Sequence, residues 1–213
     1  MICPLCHHPE SSLFDQDKFR TYYRCEACTV VYVPHEYFLK SNEEKGRYDA
    51  HQNNDSSYEA YLSQIALNIF AHVSTEQQGL DFGCGATTLM QMIFARKSIK
   101  LDSYDLYFFP NEKIWEGTYD FIIMSEVIEH LRNPLETMEK LAACLKPKGQ
   151  IFIKTKFYPE NKQKFHEWFY KRDLTHIIFF NDMSLNRFAS RLGFKKLKSL
   201  NLPDLYQLIK EEK

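Results

Sequence analysis

The 213-residue sequence has no apolar run approaching the ~20 residues that a membrane-spanning helix needs. It opens MICPLCHH, without the basic and apolar stretches of a secretory signal, so a soluble, cytoplasmic protein is expected. Neither sign of charge dominates. Twenty-seven Lys and Arg face 28 Asp and Glu, a net charge of −1, which argues against a surface that grips nucleic acid all over. Internal repeats and low-complexity tracts are also missing. What is present is an ordinary globular composition, 44% hydrophobic and 26% charged. The length suits one α/β domain with a small appendage and falls short of two catalytic domains.

One stretch departs from this balance. Between residues 146 and 172, Lys146, Lys148, Lys154, Lys156, Lys162, Lys164, Lys171 and Arg172 outnumber Glu160 and Glu167. Two readings stand: a solvated lysine-rich face, or a basic rim that attracts an anionic substrate.

Four of the six cysteines fall in the first 28 residues, as Cys3-Pro4-Leu5-Cys6 and Cys25-Glu26-Ala27-Cys28. Each CxxC turn lets two sulfurs reach one ion, and two turns complete a tetrahedron, the arrangement zinc takes in closed structural sites. Cys3, Cys6, Cys25 and Cys28 are therefore expected to bind zinc. A closed four-sulfur site leaves no position for water, so the metal is expected to be structural. The first forty residues carry Lys18, Arg20, Arg24 and Lys40 against Glu10, Asp15, Asp17, Glu26 and Glu36. They are not basic, which favours a structural or substrate-covering role over nucleic-acid reading.

Three units follow along the chain: a zinc-ribbon-like module over 1–40, a connector and helix over 41–77, and the main domain over 78–213. The first has β-forming segments and a short strand ended by Pro34. The connector is polar, and His51 and Asn53 within it are candidate lid residues by position. Tyr58, Tyr61, Ile65, Ile69 and Val73 have helical spacing. From residue 78 apolar strands alternate with helices: GLDFG, TTLMQMIFARK, LDSYDLYF, YDFIIMS, NPLETMEKLAACLK, a PKGQ turn, IFIKT, NDMSLNRFASRLG, and a closing pair of strands in FKKLKSL and DLYQLIK. This order predicts an α/β fold with a doubly wound, mostly parallel sheet.

Asp81-Phe82-Gly83-Cys84-Gly85 sits where an apolar strand meets a helix. The glycines allow a sharp turn and close approach of backbone to a ligand. Asp105, twenty residues after Gly85, ends the next strand, where a carboxylate can bind ribose hydroxyls. A dinucleotide fingerprint requires a third glycine where Thr88 stands, and no P-loop lysine is present.

The segment LDFGCG resembles the first motif of class I S-adenosylmethionine-dependent methyltransferases, with Thr87 at the position of its last glycine. YDFIIMSEVIEHLRNPLETMEKLAACLKPKGQIFIKT is similar to that superfamily's fourth strand, following helix and fifth strand. EVIEHL and the LKPKG turn resemble the small-molecule branch that includes ubiquinone-biosynthesis O-methyltransferases, as does WFYKRDLTHIIFFNDMSLNRFASRLGF. The paired CxxC motifs resemble the module of sugar C-methyltransferases and, less closely, zinc-bearing ribosomal RNA methyltransferases. The resemblance implies that Gly83, Gly85 and Asp105 bind S-adenosylmethionine, with Asp81 beneath the loop and Glu126 at the end of the fourth strand. A helix-capping role is the alternative for Glu126. Only fourteen residues separate Asp105 from Asp120, too few for the helix and third strand of the family, so a shortened sheet edge is expected and no adenine-binding carboxylate is assigned.

Methyl transfer needs a base only where the acceptor must lose a proton. His130 follows the fourth strand near the expected methyl position; its alternative is a histidine satisfied by backbone. Tyr170, Asp173 and His176 cluster after the fifth strand, where an Asp–His pair could orient a base. Equally, Asp173 could cap a turn while His176 packs beside a strand. The reading is methyl transfer to a small metabolite, anionic if the lysines form a rim. Its alternatives are an RNA-modifying methyltransferase with the zinc module as reader, and a non-catalytic binding module on the cofactor fold.

Overall fold

A computed structural model of the chain describes residues 1–50, 56–196 and 200–212. The candidate lid residues His51 and Asn53, and the end of FKKLKSL, lie outside the described residues. The chain begins with β1 (Ser11–Gln16), β2 (Thr21–Cys25) and β3 (Val31–Tyr32), followed by α1 (Ser41–Ala50) and α2 (Ser56–Phe70). Alternation then sets in with β4 (Gln78–Phe82), α3 (Leu89–Ala95), β5 (Lys100–Tyr104), β6 (Tyr119–Ser125), α4 (Pro134–Ala143) and β7 (Leu145–Lys154). The last part holds α5 (Lys162–Glu167), β8 (Ile178–Phe179), α6 (Asp182–Arg191), β9 (Phe194–Lys196) and β10 (Leu205–Lys210).

The larger sheet has the order β5-β4-β6-β7-β10-β9. Its first four strands are parallel; β10 runs antiparallel to both β7 and β9. The apolar run of β6 is explained by coverage of both faces. Phe121 and Ile123 pack with Ile65 and Ile69 of α2 and Phe94 of α3. Ile122 and Met124 point to the opposite layer with Met138 and Leu141 of α4. Each such side chain stabilises the fold by ~1.5–3 kcal/mol on burial, so this two-sided alternation fixes the register of β6.

Two expected elements change. LDSYDLYF is not one strand, because β5 stops at Tyr104 and the Asp105 carboxylate turns the chain. Its Oδ1 accepts from the Tyr107 and Phe108 N–H groups at 2.8 and 3.1 Å. PKGQ is not a turn between elements but an irregularity inside β7. Opposite β6 the pairing jumps from Tyr119↔Leu145 to Phe121↔Gln150, Lys148 has φ 62°, and a Cβ on Gly149 would lie 2.8 Å from the Lys146 carbonyl. The short Asp105–Asp120 connection behaves as its length predicts. It holds a 3-10 turn over Glu112–Glu116, and β5 ends the sheet.

The smaller sheet, β1-β2-β3-β8, is antiparallel throughout. Its fourth strand comes from the segment after β7, with Val31↔Phe179 and Tyr32↔Ile178 as partners. Aromatic rings join the same parts. Phe14 meets Phe165 at 5.0 Å between centroids, and Tyr22 meets Phe165 at 5.4 Å and Phe179 at 5.9 Å. Each edge or tilted pair adds ~0.5–1.5 kcal/mol beyond its area. Residues 1–40 thus share one sheet and one core with the insertion that follows β7.

Candidate active site

The carboxyl ends of β4, β5 and β6 open into a cavity of about 770 Å³. Such ends are where open α/β sheets bind ligands. Gly83, Gly85, Asp105, Glu126, His130, Asp173 and His176 all line it. Asp81 lies behind the wall, buried under the loop, and Tyr170 is likewise not part of the lining.

The glycine loop folds tightly. The Gly83 and Cys84 N–H groups both donate to the Tyr104 carbonyl at 2.7 and 3.0 Å. Gly83 (φ 82°) and Gly85 (φ 69°) occupy the left-handed region. A Cβ on Gly83 would come within 2.5 Å of Val127 Cγ2, so both conformation and space require glycine there. Asp105 Oδ2 accepts from the Gly85 N–H at 3.1 Å, tying the end of β5 to the loop. Two carboxylate oxygens offer about four acceptor positions. Three backbone N–H groups leave capacity for a hydroxyl from the cavity. Burial, with the nearby Asp105 charge, pushes the Asp81 carboxyl up to about 7.

Glu126 caps no helix. It follows β6 with φ 54°, receives the Tyr61 and Tyr170 hydroxyls at 3.3 and 2.8 Å, and lies 3.9 Å from Lys154 Nζ. The Tyr170 oxygen also lies against Glu129 Oε1; with its one proton given to Glu126, it accepts from Glu129 when that carboxyl is protonated. Glu129 is fully buried, and its Oε2 has no hydrogen-bond partner among the described residues. Burial and then the Glu126 charge push its carboxyl up to about 8, because the neutral acid is much cheaper to bury than an unpaired carboxylate.

The two histidines stand edge to face, 4.6 Å between ring centroids. His130 Nδ1 faces the Thr175 carbonyl at 3.1 Å and the Tyr48 hydroxyl at 3.3 Å. His176 Nδ1 faces the Tyr170 carbonyl at 2.7 Å. A carbonyl partner selects the Nδ1–H tautomer, which leaves Nε2 as the proton-accepting nitrogen. Burial lowers the pKa of both rings; for His176 burial and then the His130 charge bring it to about 3. The orienting partner of His176 is therefore Tyr170, not Asp173. Asp173 turns its Oδ1 on the Thr175 N–H and hydroxyl at 2.9 and 2.7 Å, the turn-capping alternative. Ligating atoms of Glu129, His130 and His176 lie within 4.8 Å of one another.

Several site residues escaped the sequence reading. Glu44 and Tyr48 reach the cavity from α1, in what looked like a polar connector. Glu44 accepts from Arg132 at 2.7 Å, Tyr107 at 3.0 Å and Tyr48 at 3.3 Å. Tyr58 and Tyr61, read only as part of a helical stripe, line the cavity too. An acid with tyrosines at helical spacing beside it was the available signal.

The lysine-rich stretch is not an open basic rim. Lys146 pairs with Asp120 at 2.7 Å, Lys148 with Glu212 at 3.1 Å, and Lys156 with Asp204 at 3.2 Å. Lys154 lies 3.7 Å from Asp204, and Lys171 is buried between Asp15 and Asp17 at 2.9 and 2.8 Å. These acids neutralise most of the local excess.

The four N-terminal cysteines converge, with Cys3 and Cys28 sulfurs 3.6 Å apart and Cys6 and Cys25 sulfurs 3.5 Å apart. That excludes a disulfide, whose sulfurs lie at ~2.05 Å, and approaches the ~3.8 Å edge of a zinc tetrahedron with bonds of ~2.3 Å. The Leu5 and Cys28 N–H groups point at the Cys3 and Cys25 sulfurs, each at 3.4 Å. The contact from Cys28 holds the Cys3 thiol down to about 5, and the same contact with burial pushes Cys28 far up. The cluster is thus prepared for negative charge but cannot carry four thiolates without a cation. No helix among the described residues is long and apolar enough to cross a membrane.

No curated protein matches the sequence significantly. A 1,6-didemethyltoxoflavin-N1-methyltransferase from Burkholderia thailandensis, solved with 1,6-didemethyltoxoflavin and S-adenosylhomocysteine, is similar in structure. The TM-score is 0.57 at 14% identity, and the match covers 95% of this chain and all of that one. An O-methyltransferase family protein from the same organism gives 0.55 at 11% identity, over 80% of this chain and 64% of its own. The pyocyanin biosynthetic protein PhzM also gives 0.55, at 10% identity, over 78% of this chain and 61% of its own. At these identities the likeness is one of fold. The profile of the methyltransferase domain matches residues 48–199, more than half of the sequence, and the chain belongs to that family.

Proposed function

We propose that the protein transfers a methyl group from S-adenosylmethionine to a small-molecule acceptor. The carrying observation is the cavity at the ends of β4, β5 and β6, with the Gly83–Gly85 turn and Asp105 on its wall. S-adenosylmethionine supplies, when bound, a methyl group on a positively charged sulfur. Gly83 and Gly85 let the backbone approach the cofactor, Asp105 accepts from its ribose, and Asp81 supports the loop from beneath. Glu126 lies on the same wall as a carboxylate for the cofactor's positive end.

On the acceptor side His130 takes the proton that the acceptor must lose. The Asp173 charge favours the imidazolium that results, and the buried His176 stays neutral beside it. The like-charge cost between two rings 4.6 Å apart supports one protonated histidine rather than two. Cys3, Cys6, Cys25 and Cys28 hold a structural zinc ion, a reading supported by their converging sulfurs. Isothermal titration with S-adenosylhomocysteine tests the central claim: binding at micromolar concentration is expected, and no heat at millimolar ligand rejects it.

A further inference from the structure

The segment 171–176 carries Asp173 and His176 into the cavity, yet most of its carbonyls point away from it. Those of Lys171, Asp173, Leu174 and His176 converge on a single side chain, the guanidinium of Arg20. Nη1 donates to Leu174 at 3.1 Å and His176 at 2.9 Å; Nη2 donates to Lys171 and to Asp173 at 3.0 Å. Nε donates to the Tyr22 hydroxyl at 3.2 Å, so all five N–H groups are used. Arg20 is 3% exposed, and a cation so buried persists only when its donors are satisfied. The converse holds for the loop. Without the guanidinium the Leu174 and His176 carbonyls would lose their donor, while Asp173 would keep only the His176 N–H at 3.2 Å and Lys171 only the long contact from the Tyr22 hydroxyl at 3.5 Å.

Two other carbonyls of this stretch orient the histidines. The Tyr170 carbonyl takes His176 Nδ1, and the Thr175 carbonyl takes His130 Nδ1. The path of the loop around Arg20 decides where both carbonyls point. Arg20 is itself placed by the first hairpin. The Asp17 carboxylate accepts the Phe19 and Arg20 N–H groups at 2.8 and 2.9 Å, and also the Tyr22 hydroxyl and the Lys171 ammonium. Arg20 immediately precedes β2, and β2 ends at Cys25, about 16 Å further along an extended strand.

We propose that Arg20 is the positioning residue of the acceptor side of the site, through which the N-terminal cysteine unit fixes the loop that orients His130 and His176. Arg20 touches neither cofactor nor acceptor; it acts through the loop. The inference rests on the reading that these histidines serve the acceptor. It gives the cysteine unit a task beyond its own stability, since one end of β2 belongs to the sulfur cluster and the other to the clamp.

The test compares the full-length protein with Arg20→Gln and Arg20→Lys, using histidine ring NMR and amide hydrogen exchange. Lysine keeps the charge but offers three donors on a flexible stem instead of a planar fork. Both variants are expected to shift the His130 and His176 ring signals. Both should also raise amide exchange at Thr175, His176 and Ile177 by about tenfold or more, with S-adenosylhomocysteine affinity held within about threefold. In Arg20→Gln the His176 pKa should also rise, since burial and His130 remain but the smaller lowering effect of the Arg20 charge is gone. Wild-type ring signals and exchange in Arg20→Lys would overturn the proposal, because charge alone would then suffice. Should neither variant fold, the wild-type protein decides. Protection of the Thr175 and His176 amides by about a hundredfold over open chain supports the clamp, and open-chain exchange there refutes it. A wild-type protein that fails to bind S-adenosylhomocysteine while showing this protection would reject the methyltransferase reading and leave the clamp standing.

Discussion

Gly83 is held to glycine twice over. Its φ of 82° and the 2.5 Å approach to Val127 act together, so Gly83→Ala must either move Val127 or open the loop. The expected cost is ~2 kcal/mol in urea unfolding, together with at least a tenfold loss of S-adenosylhomocysteine affinity by calorimetry. Glu129 makes a different prediction. Its folded pKa, about 8, lies above the ordinary 4.5, so the folded state holds a proton that the unfolded state has released. Its contribution is complete below pH 4.5 and is lost as pH rises through about 8, with a slope of up to ~1.4 kcal/mol per unit. His176 acts in the opposite sense: lowered from 6.5 to about 3, it contributes above 6.5 and loses that contribution as pH falls towards 3. Between pH 6.5 and 8 the Glu129 loss stands without that opposing term. Glu129→Gln should flatten the stability profile in this interval, measured by urea midpoints at several pH values. An unchanged alkaline slope would mean that Glu129 is ionised in the folded protein.

At the scale of elements, α1 is held unusually. Its only buried residue is Glu44, so no apolar stripe anchors it. Its attachment depends on polar ties from Glu44 to Arg132 and Tyr107, and from Tyr48 to His130. Contrast α4, where Leu135, Met138 and Leu141 are buried against the sheet. Elements with few buried apolar groups open at the low end of the stability scale. Glu44→Ala should therefore speed amide exchange across residues 41–50 by about tenfold while α4 keeps its protection. The loss in global stability should be no more than ~1 kcal/mol, because the exposed Arg132 is taken up by water once unpaired. Equal exchange changes in α1 and α4 would show that Glu44 acts on the whole fold instead.

Across the whole molecule the two sheets are coupled through β8 and the rings around Phe165. Residues 1–40 lose their fourth strand if the insertion after β7 moves, and the insertion loses its support if the cysteine cluster opens. On the proposed zinc site, a chelator, or Cys25→Ser, should therefore lower the melting temperature of the entire chain by ~10 °C in a single transition, followed by calorimetry. A two-step melt, with the larger sheet untouched by the chelator, would argue that the sheets fold independently.

Periodicity and spacing made much of this legible in advance. The near-continuous apolar run of β6 and the strand–helix order point to a parallel sheet covered on both faces, and a chain of this length suits the open, doubly wound form. The glycines required a tight turn at the end of β4, the CxxC spacing brought four sulfurs together, and the fourteen residues after Asp105 left no room for another strand. These are local constraints, carried by neighbours in sequence. What spacing could not show is who faces whom across the fold. It left open whether Asp173 orients His176 or caps its own turn, and it missed that the Tyr170 carbonyl takes the ring nitrogen. It counted an excess of lysines and missed the acids, from Asp15 to Glu212, that neutralise them. It read Arg20 as one charge in a short module, whereas the tertiary structure surrounds it with four carbonyls from 150 residues away. Hydrogen bonds and ion pairs are short-ranged, so their partners are chosen only when the chain has folded.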